Sequence, residues 1–474
     1  MSALFIDNGI VVTMDEDRRV LEPGAVLVRD GRVAAVGERE EVARLAGDAQ
    51  VIDAKNMAVI PGLIDSHGHA GHAMVKSLGA GDPQTWVDAC LRIYAHGSDA
   101  AFWKAEARLA ALERLKAGVT TSVSLFGGGT DLIRNDSPEY VLGYCDALDE
   151  VGLRSYVAMG PNRPPFPHTF THLESGEHRS LGLTEQLNTV RDAARARPAS
   201  GDARVQVCMV SPVFRPGEPG DTSSEAERNE LINAVMSLRD ELGVIYTQDG
   251  HREGSIALSR ELGGIAPISL FSHSVDLTEE DMASAVERGV VIVHNPSAIM
   301  SIRGRCPVPE LLDMGVNVVL GSDGAAPDRG YDMFRHMAQC MHYHRRHFRD
   351  ASILPAGKVF EMATIDAARG LGRANELGSI EVGKRADIVL VDLFKPHLMP
   401  INMPVMRLAH FANAADVDTV IVDGEILMQG RKVTRLDERA ALEDAQEQME
   451  RTIERNNLGA TLQPSGGFWG VSRA

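Results

Sequence analysis

Residues 231–248, LINAVMSLRDELGVIYTQ, contain a helix, a glycine and a strand in direct succession. The apolar residues of the first part recur every three or four positions, which places them on one helical face. Gly243 then supplies the left-handed residue that commonly ends a helix, and the β-rich run 244–248 follows. The same order recurs at residues 278–293 and 310–320, which predicts parallel strands joined by helical crossovers.

Eight apolar runs of this kind follow one another along the middle of the chain. They are residues 58–66, 120–126, 153–160, 204–210, 244–248, 268–272, 290–293 and 316–321. Since eight parallel strands separated by helices close into a barrel, we predict an α/β fold with a (β/α)8 TIM barrel over residues 61–375. An open doubly wound sheet is the alternative, but Gly127-Gly128-Gly129 lacks the spacing of its glycine fingerprint.

Both ends of the chain are rich in short strands and tight turns. Asp30-Gly31 and Asp423-Gly424 are hairpin signals, because both central positions of such a turn must tolerate positive φ. We predict that residues 1–60 and 376–435 assemble one small composite β-sandwich, with two unrelated β appendages as the alternative. Residues 436–474 are predicted to form a C-terminal charged helix and a tail.

The composition argues against several classes of protein. The 474 residues carry 48 basic and 66 acidic side chains, a formal net charge of -18, which predicts no nucleic-acid partner. No apolar run reaches the roughly 18 residues of a membrane helix, and Met1 to Gly9 lacks an export signal, which predicts a cytoplasmic protein without a membrane partner. The five cysteines form no CxxC pair, which predicts reduced thiols and gives no support for a cysteine-based zinc site.

Two histidines, His67 and His69, end the first predicted barrel strand. Side chains one residue apart on a strand point the same way, so both imidazoles can reach one metal ion. Later strands also end in or near polar residues, namely Gln248, His251, His273, His294 and Asp323. Each alone is commonly structural, but together they are expected to meet at the barrel mouth around a divalent ion. These donors suit zinc, iron, manganese or cobalt rather than calcium.

The motifs resemble the signatures of the amidohydrolase superfamily, in particular the branch that contains atrazine chlorohydrolase, guanine deaminase and adenosylhomocysteine deaminase. Residues 58–69 resemble its PG-x-x-D-x-H-x-H signature, and residues 363–391, with Gly383-Lys384-Arg385-Ala386-Asp387, resemble its C-terminal signature. The resemblance covers about residues 1–430. It implies a distorted (β/α)8 barrel, a composite β-sandwich and hydrolysis by a metal-bound water.

The resemblance also assigns roles to individual residues. His67 and His69 match the first two metal ligands. Asp323 matches the aspartate that binds metal and shuttles the proton, and His273 matches the histidine that orients the water or becomes a ligand. Residues 205–210 offer no lysine for carboxylation, so one metal ion per subunit is expected, with zinc as first choice and iron, cobalt or manganese as alternatives.

The sequence departs from the family pattern after the fifth strand. Counting from Gly243 places Gln248 at the position of a metal-binding histidine and His251 at the position of a catalytic glutamate that protonates a ring nitrogen. An amide oxygen binds transition metals less tightly than imidazole does, so His273 or His251 is expected to complete the metal shell. Glu253 becomes relevant if the register shifts by a residue or two.

The missing glutamate bears on the substrate, because an acyclic carbonyl compound does not need a protonated ring nitrogen. We predict a mononuclear metal-dependent hydrolase that uses metal-activated water on the C–N bond of a small amide, carbamate or urea, or the C–S bond of a thiocarbamate. This pattern resembles the molinate hydrolase and phenylurea hydrolase group. The alternatives are a deaminase or dechlorinase of a purine, pterin or triazine ring, and a binding homologue without catalysis.

Four further residues are predicted to contact or support a small-molecule substrate, namely His72, Phe126, His168 and His294. The alternatives are core packing for Phe126, a supporting or solvent-exposed role for His72 and an ordinary loop position for His168. His294 is expected to support the site through hydrogen bonding. His168 lies in Pro161–Ser180, a predicted long loop at the barrel mouth. A second histidine tract, at positions 342, 344 and 347, is scattered around a predicted helix rather than gathered on one face. The subunit is expected to form a homo-oligomer.

Overall fold

The computed structural model describes residues 3–128, 133–199, 203–218, 221–327, 329–464 and 468–470. In chain order its strands are β1 Leu4–Val12, β2 Val20–Arg29, β3 Arg32–Glu38, β4 Gln50–Asp53, β5 Met57–Pro61, β6 Leu63–His69, β7 Val119–Leu125, β8 Arg154–Met159, β9 His168–His172, β10 Glu177–Leu181, β11 Val205–Ser211, β12 Tyr246–Gln248, β13 Ser269–Ser272, β14 Val291–His294, β15 Val318–Leu320, β16 Ile388–Asp392, β17 Val417–Val422, β18 Glu425–Gln429 and β19 Lys432–Val433.

The α-helices are α1 Arg39–Ala46, α2 Pro83–Leu91, α3 Ala100–Lys116, α4 Pro138–Val151, α5 Leu183–Ala196, α6 Glu225–Leu242, α7 Ser255–Glu261, α8 Glu279–Arg288, α9 Ile299–Arg303, α10 Val308–Asp313, α11 Met333–Phe348, α12 Ala356–Met362, α13 Ile365–Gly370, α14 Pro404–His410 and α15 Glu438–Arg455. A π-helical turn spans Arg92–Gly97, and 3-10 turns span Leu78–Gly81, Ala414–Asp416 and Gly459–Leu462.

Eight parallel strands form the central barrel. Their order in the sheet is β6-β7-β8-β11-β12-β13-β14-β15, and β15 also approaches β6, so the sheet is nearly closed. Helices lie between successive strands, as parallel pairing requires. The predicted (β/α)8 barrel is confirmed, and each predicted run overlaps one of its strands.

The first predicted run, residues 58–66, contains two strands rather than one. β5 pairs antiparallel with β16 in the terminal sheet, whereas β6 pairs parallel with β7 in the barrel. Gly62 lies at the junction and donates its N–H to Asp387 O at 2.8 Å. A Cβ at this glycine would lie 2.0 Å from Thr120 Oγ1, so only glycine allows the chain to pass this close to β7.

The chain ends build the predicted composite β domain. Its nine strands follow the order β19-β18-β17-β16-β5-β1-β2-β3, with β4 paired to β1. Strands from the two ends of the chain share one buried apolar cluster, which includes Val26 and Val28 on β2 and Leu390 on β16. The buried guanidinium of Arg154, on β8, pairs with Asp387 at 3.3 Å and Asp423 at 2.6 Å, which fastens this domain to the barrel.

The segment predicted as a long loop, residues 161–180, differs from that expectation. β9 and β10 form an antiparallel hairpin in which His172 pairs with Glu177 and His168 with Leu181. The segment has few apolar residues, so it carried no clear strand pattern. Among the described residues, no helix is long and apolar enough to cross a membrane.

Candidate metal centre

Two buried histidines at the end of β6 point toward the barrel mouth. His67 and His69 lie on the same face of the strand, with their ring centroids 5.0 Å apart. His69 Nδ1 lies 3.0 Å from Gly127 O, and a carbonyl oxygen can only accept, so Nδ1 carries the hydrogen. This contact leaves Nε2, which faces the carboxylates at the centre of the mouth, as the nitrogen that would bind a metal ion.

Asp249, which directly follows β12, lies between the imidazoles. Its Oδ1 is 3.2 Å from His67 Nε2 and 3.1 Å from His273 Nε2. Its Oδ2 is 3.6 Å from His69 Nε2. Ser272 Oγ donates to Asp249 Oδ1 at 2.6 Å, which fixes the carboxylate in this position.

Asp323 approaches the same point from the end of β15. Its Oδ1 lies 3.2 Å from His69 Nε2 and 3.7 Å from the Nε2 atoms of His67 and His273. Arg329 holds the other oxygen, Oδ2, at 3.2 Å. The backbone N–H of Asp323 donates to His67 O at 2.9 Å, so the two strand ends are joined directly.

The spacing of these donor atoms fits one small cation. A tetrahedral ion with bonds of about 2.0–2.1 Å separates its ligands by about 3.3 Å, close to the observed distances. Oxygens and imidazole nitrogens together suit a divalent transition-metal ion. Two groups of these residues could each hold such an ion, His67 with His69 and Asp323, and His67 with Asp249 and His273.

The charges of the site also favour a bound cation. Burial opposes ionisation of Asp249 and Asp323, but the surrounding imidazoles hold both pKa values well below the ordinary aspartate range, with Arg329 contributing at Asp323. Burial alone would lower the pKa of His67, yet the two carboxylates raise it to about 9. The chain thus collects negative charge that a bound proton or a metal ion balances, and a metal ion would displace that proton.

Residues 58–427 match the sequence profile of the Amidohydrolase family. The chain belongs to the amidohydrolase family. It is 30% identical over 468 residues to the 5'-deoxyadenosine deaminase of Methanosarcina barkeri, a match that covers 96% of this chain and 100% of the relative. It is also 30% identical to the 5-methylthioadenosine/S-adenosylhomocysteine deaminase of Syntrophobacter fumaroxidans, over 91% of this chain and 94% of that protein.

Solved structures of more distant proteins share the fold. An adenosine deaminase from Xanthomonas campestris with bound zinc superposes with a TM-score of 0.80 at 24% identity, over 96% of this chain and 99% of that one. Atrazine chlorohydrolase from Arthrobacter aurescens, complexed with zinc, gives 0.78 at 20% identity, over 94% and 100%. The predicted family, fold class and enzyme class, a metal-dependent amidohydrolase, are confirmed.

In this amidohydrolase the structure places Gln248 away from the centre, contrary to the expected ligand role. Its amide nitrogen donates to Ser211 Oγ at 3.0 Å and to Pro212 O at 3.1 Å. Its Oε1 accepts from Ser259 Oγ at 3.2 Å and lies 3.1 Å from His251 Nε2. The amide is therefore fully engaged with its own neighbours.

His251 is also turned away from the centre. Its Nδ1 lies 2.9 Å from Ser255 Oγ, its Nε2 faces Gln248, and its ring stacks on Phe271 at 4.1 Å. Burial, with the nearby Arg215, holds the pKa of His251 well below the ordinary value, so the ring is neutral. Both ring nitrogens of His251 thus contact Ser255 and Gln248 next to β12, rather than the metal-binding residues.

Asp249 is the functional candidate that sequence reasoning missed. It is adjacent to Gln248, so a shift of one residue in the alignment exchanges the two. The available signal was its position as the first carboxylate after the fifth strand, among polar residues that all could bind metal. If Asp249 rather than Gln248 is aligned with the metal-binding histidine of the family, Arg252, three residues after Asp249, occupies the position of the catalytic glutamate.

The predicted substrate contacts separate into two groups. His72 is buried and stacks on His69 at 4.5 Å, so it lies beside the centre. Phe126, His168 and His294 lie elsewhere. Phe126 packs in the core 4.4 Å from the Trp103 ring, the ring nitrogen of His168 lies 2.7 Å from Arg163 O, and His294 packs against a helix.

Loops that follow the barrel strands line an apolar cleft and a polar cleft. An apolar cleft of about 490 Å³ is lined by Leu78, Pro83, Ile299, Ile302, Pro327 and Phe468, with polar residues at its edge. A polar cleft of about 570 Å³ is lined by Arg215, Arg252, Glu253 and neighbouring residues. The apolar cleft is lined in part by Leu78 and Pro327, which lie a few residues after His72 and Asp323 in the chain.

Glu106, on α3, supports the loop that follows His69. Its Oε1 accepts from the N–H of Ala73 at 3.2 Å, and Oε2 has no hydrogen-bond partner among the described residues. Burial raises the pKa of this carboxyl to about 7, from an ordinary value of 4.5, although the amides of Gly71 and Ala73 lower it. Glu106 is thus protonated in the folded protein under mildly acidic conditions.

Replacing Glu106 with glutamine should change how stability depends on pH. Since the folded pKa lies above the unfolded one, wild-type stability should fall as pH rises from about 4.5 to about 7, by up to about 3 kcal/mol. Glu106→Gln retains the acceptor without the charge, so its melting temperature should exceed that of the wild type at pH 8 and equal it near pH 5. A difference that stays constant between these pH values would contradict this assignment.

Proposed function

We propose that this amidohydrolase is a metal-dependent aminohydrolase that releases ammonia from an amino group on a nitrogen heterocycle of the purine type. The observation that carries the proposal is the similarity to nucleoside deaminases along 96% of the chain. This favours the ring deaminase, stated above as an alternative, over the acyclic amide, carbamate or urea substrate that the missing glutamate suggested.

The cofactor proposed is one divalent transition-metal ion per subunit, with zinc first because the adenosine deaminase and the atrazine chlorohydrolase structures contain it. Iron, cobalt and manganese are the alternatives. We assign its ligands to His67, His69, Asp323 and Asp249, with His273 within reach. β11 carries no lysine that could bridge two ions, which supports a mononuclear site. Such an ion would act as a Lewis acid that lowers the pKa of the attacking water.

Asp323 is placed to move the proton. Its Oδ1 faces the imidazoles, while Arg329 holds Oδ2, so one oxygen is oriented toward the reacting groups. The carboxylate accepts the proton that water loses on attacking the ring carbon and returns it to the departing amino group. Water and the aminated ring become ammonia and a ring carbonyl. The Nε2 of His273, 3.7 Å from Asp323 Oδ1, is placed to orient the water.

The apolar cleft supports a substrate with an uncharged side group. Its lining combines Leu78, Ile299 and Phe468 with few polar atoms, which fits an apolar substituent better than a phosphate. His72 stacks on His69 and lies 5.1 Å from the Trp86 ring, so aromatic surface also adjoins the metal centre. A ring with a small apolar substituent is therefore the proposed substrate class.

A second candidate is the cleavage of an acyclic C–N bond, or of a thiocarbamate C–S bond. The observation that favours it is the register of Asp249, because the residue three positions later is Arg252, which cannot donate a proton readily. Arg252 and the adjacent Glu253 are both exposed in the polar cleft. An acyclic carbonyl would not need protonation of a ring nitrogen.

A substrate panel separates the two candidates. The zinc-loaded enzyme should release ammonia from 5'-deoxyadenosine or another aminated ring with a kcat/KM about 100-fold or more above its value for carbamates and phenylureas. Chelator treatment should remove this activity and added zinc should restore it. Faster amine release from the acyclic compounds would favour the second candidate, and no turnover of either set by metal-loaded protein would overturn both.

Three other expectations concern the substrate type, the subunit assembly and the location of the protein. A small-molecule substrate follows from the enzyme family. The homo-oligomeric state and the cytoplasmic location stay predictions, which sedimentation and fractionation experiments would test.

A further inference from the structure

A second cluster of metal-binding side chains lies behind the barrel mouth, between β14 and α11. It consists of His294, the last residue of β14, with Cys340 and His344 on α11. One donor atom from each residue lies within 4.8 Å of the others. None of the three is exposed. Cys340 and His344 are four residues apart, so both project from one face of the helix toward the strand.

The two histidines of this cluster lack hydrogen bonds. Neither ring nitrogen of His294 or of His344 has a hydrogen-bond partner among the described residues. Buried polar groups are rarely left in this state, because each unsatisfied group costs about 1–3 kcal/mol. The rings lie 5.2 Å apart and are tilted by 57°, so stacking between them does not account for the pair.

Both imidazoles are in the form that binds metals. Burial and the nearby His344, His273 and His336 hold the pKa of His294 well below its ordinary value. Burial, with Arg305, lowers the pKa of His344 to about 4. A neutral imidazole has one nitrogen lone pair to donate, and a metal ion would provide the missing partner for each ring.

We propose that His294, Cys340 and His344 form a buried site for a thiophilic transition-metal ion, Zn²⁺ or Cu⁺, separate from the catalytic centre. Thiolate and imidazole donors select these ions over magnesium, calcium or manganese. The site joins the end of β14 to α11 and thereby stabilises the wall of the barrel behind His273.

Cu⁺ and Zn²⁺ differ in the negative charge that they need from their ligands. One thiolate balances Cu⁺, whereas Zn²⁺ would leave a net positive charge in a buried place, which is unfavourable without a second anion. Cys306 is the candidate for that anion, because its thiol is fully buried and neighbours Cys340; burial raises its pKa, so a bound ion would have to displace its proton. Zinc binding should therefore need both cysteines, and Cu⁺ binding only Cys340.

Cobalt substitution isolates this site from the catalytic one. The catalytic donors are imidazoles and carboxylates, so a thiolate-to-Co²⁺ charge-transfer band can arise only where a cysteine binds. Metal-free protein titrated with Co²⁺ should develop this band, and zinc should displace it. Zinc content should be about two ions per chain in the wild type and about one in Cys340→Ala. Cu⁺ bound at this site should be lost in Cys340→Ala and retained in Cys306→Ala.

Matched variants make the result specific. His344→Gln should abolish the band, whereas His342→Gln, an exposed histidine on the same helix, should not. Cys145→Ala, at another buried and free cysteine, should also retain it. Circular dichroism verifies that each variant is folded. A wild type without the band and without bound Cu⁺ would overturn the proposal, as would a band that persists in folded Cys340→Ala.

Discussion

Asp249→Ala should yield protein with well below one metal ion per chain at the catalytic centre and a kcat/KM lower by about 1,000-fold or more. The carboxylate lies 3.1–3.6 Å from all three imidazole Nε2 atoms, so its removal takes away both a donor and the negative charge that holds a cation. Loss of several kcal/mol of Lewis-acid stabilisation corresponds to a rate effect of this size. Metal analysis and single-substrate kinetics measure the two effects.

The neighbouring Gln248→Met is the matched control for Asp249→Ala. It removes the buried amide that bonds Ser211 and Pro212, which should lower stability by about 1–3 kcal/mol. Metal content should nevertheless stay near the wild-type value, because the amide contacts Ser211, Pro212, Ser259 and His251 rather than the metal centre. Retention of metal in Asp249→Ala together with its loss in Gln248→Met would show that the alignment from Gly243 had assigned the ligand correctly.

The barrel was predictable because its signals are local. A helix with one apolar face, a glycine and a β-rich run recur in order, as in residues 231–248, and each such unit needs only nearby residues to be recognised. The division at Gly62 is different. The continuous apolar run 58–66 gives no sign that its first half pairs with β16, more than 300 residues later, and its second half with β7.

A site residue could be predicted only where a side chain that can bind metal stands at the end of a predicted strand. His67, His69, His273 and Asp323 all satisfy this condition, and the structure brings their donor atoms together. Asp249 and Gln248 are adjacent, polar and close to the same strand end, so a choice between them depends on side-chain direction. The cluster at Cys340 has no sequence signal of its own, since its third member, His294, lies on a distant strand.

Asp65→Ala should be among the most destabilising single changes, although Asp65 belongs to no predicted set of site residues. Its Oδ2 accepts from Arg114 Nε at 3.0 Å and from Ser322 Oγ at 2.8 Å, and its Oδ1 accepts from the Ser322 N–H at 2.8 Å. Both partners of the ion pair are buried. The variant would leave Arg114 as an uncompensated buried charge, at a cost of about 3–5 kcal/mol.

Two comparison variants separate this charge effect from simple truncation. Glu443→Ala breaks a pair with Arg439 whose side chains are 65% and 87% exposed, so it should change stability by less than about 1 kcal/mol. Asp65→Asn retains an acceptor for Ser322 but not the charge, and its stability should fall between those of Asp65→Ala and the wild type. Urea midpoints give the order of stability. Equal midpoints for Asp65→Ala and Glu443→Ala would refute the role of this ion pair. Because Ser322 precedes Asp323, Asp65→Ala should also lose metal at the catalytic centre.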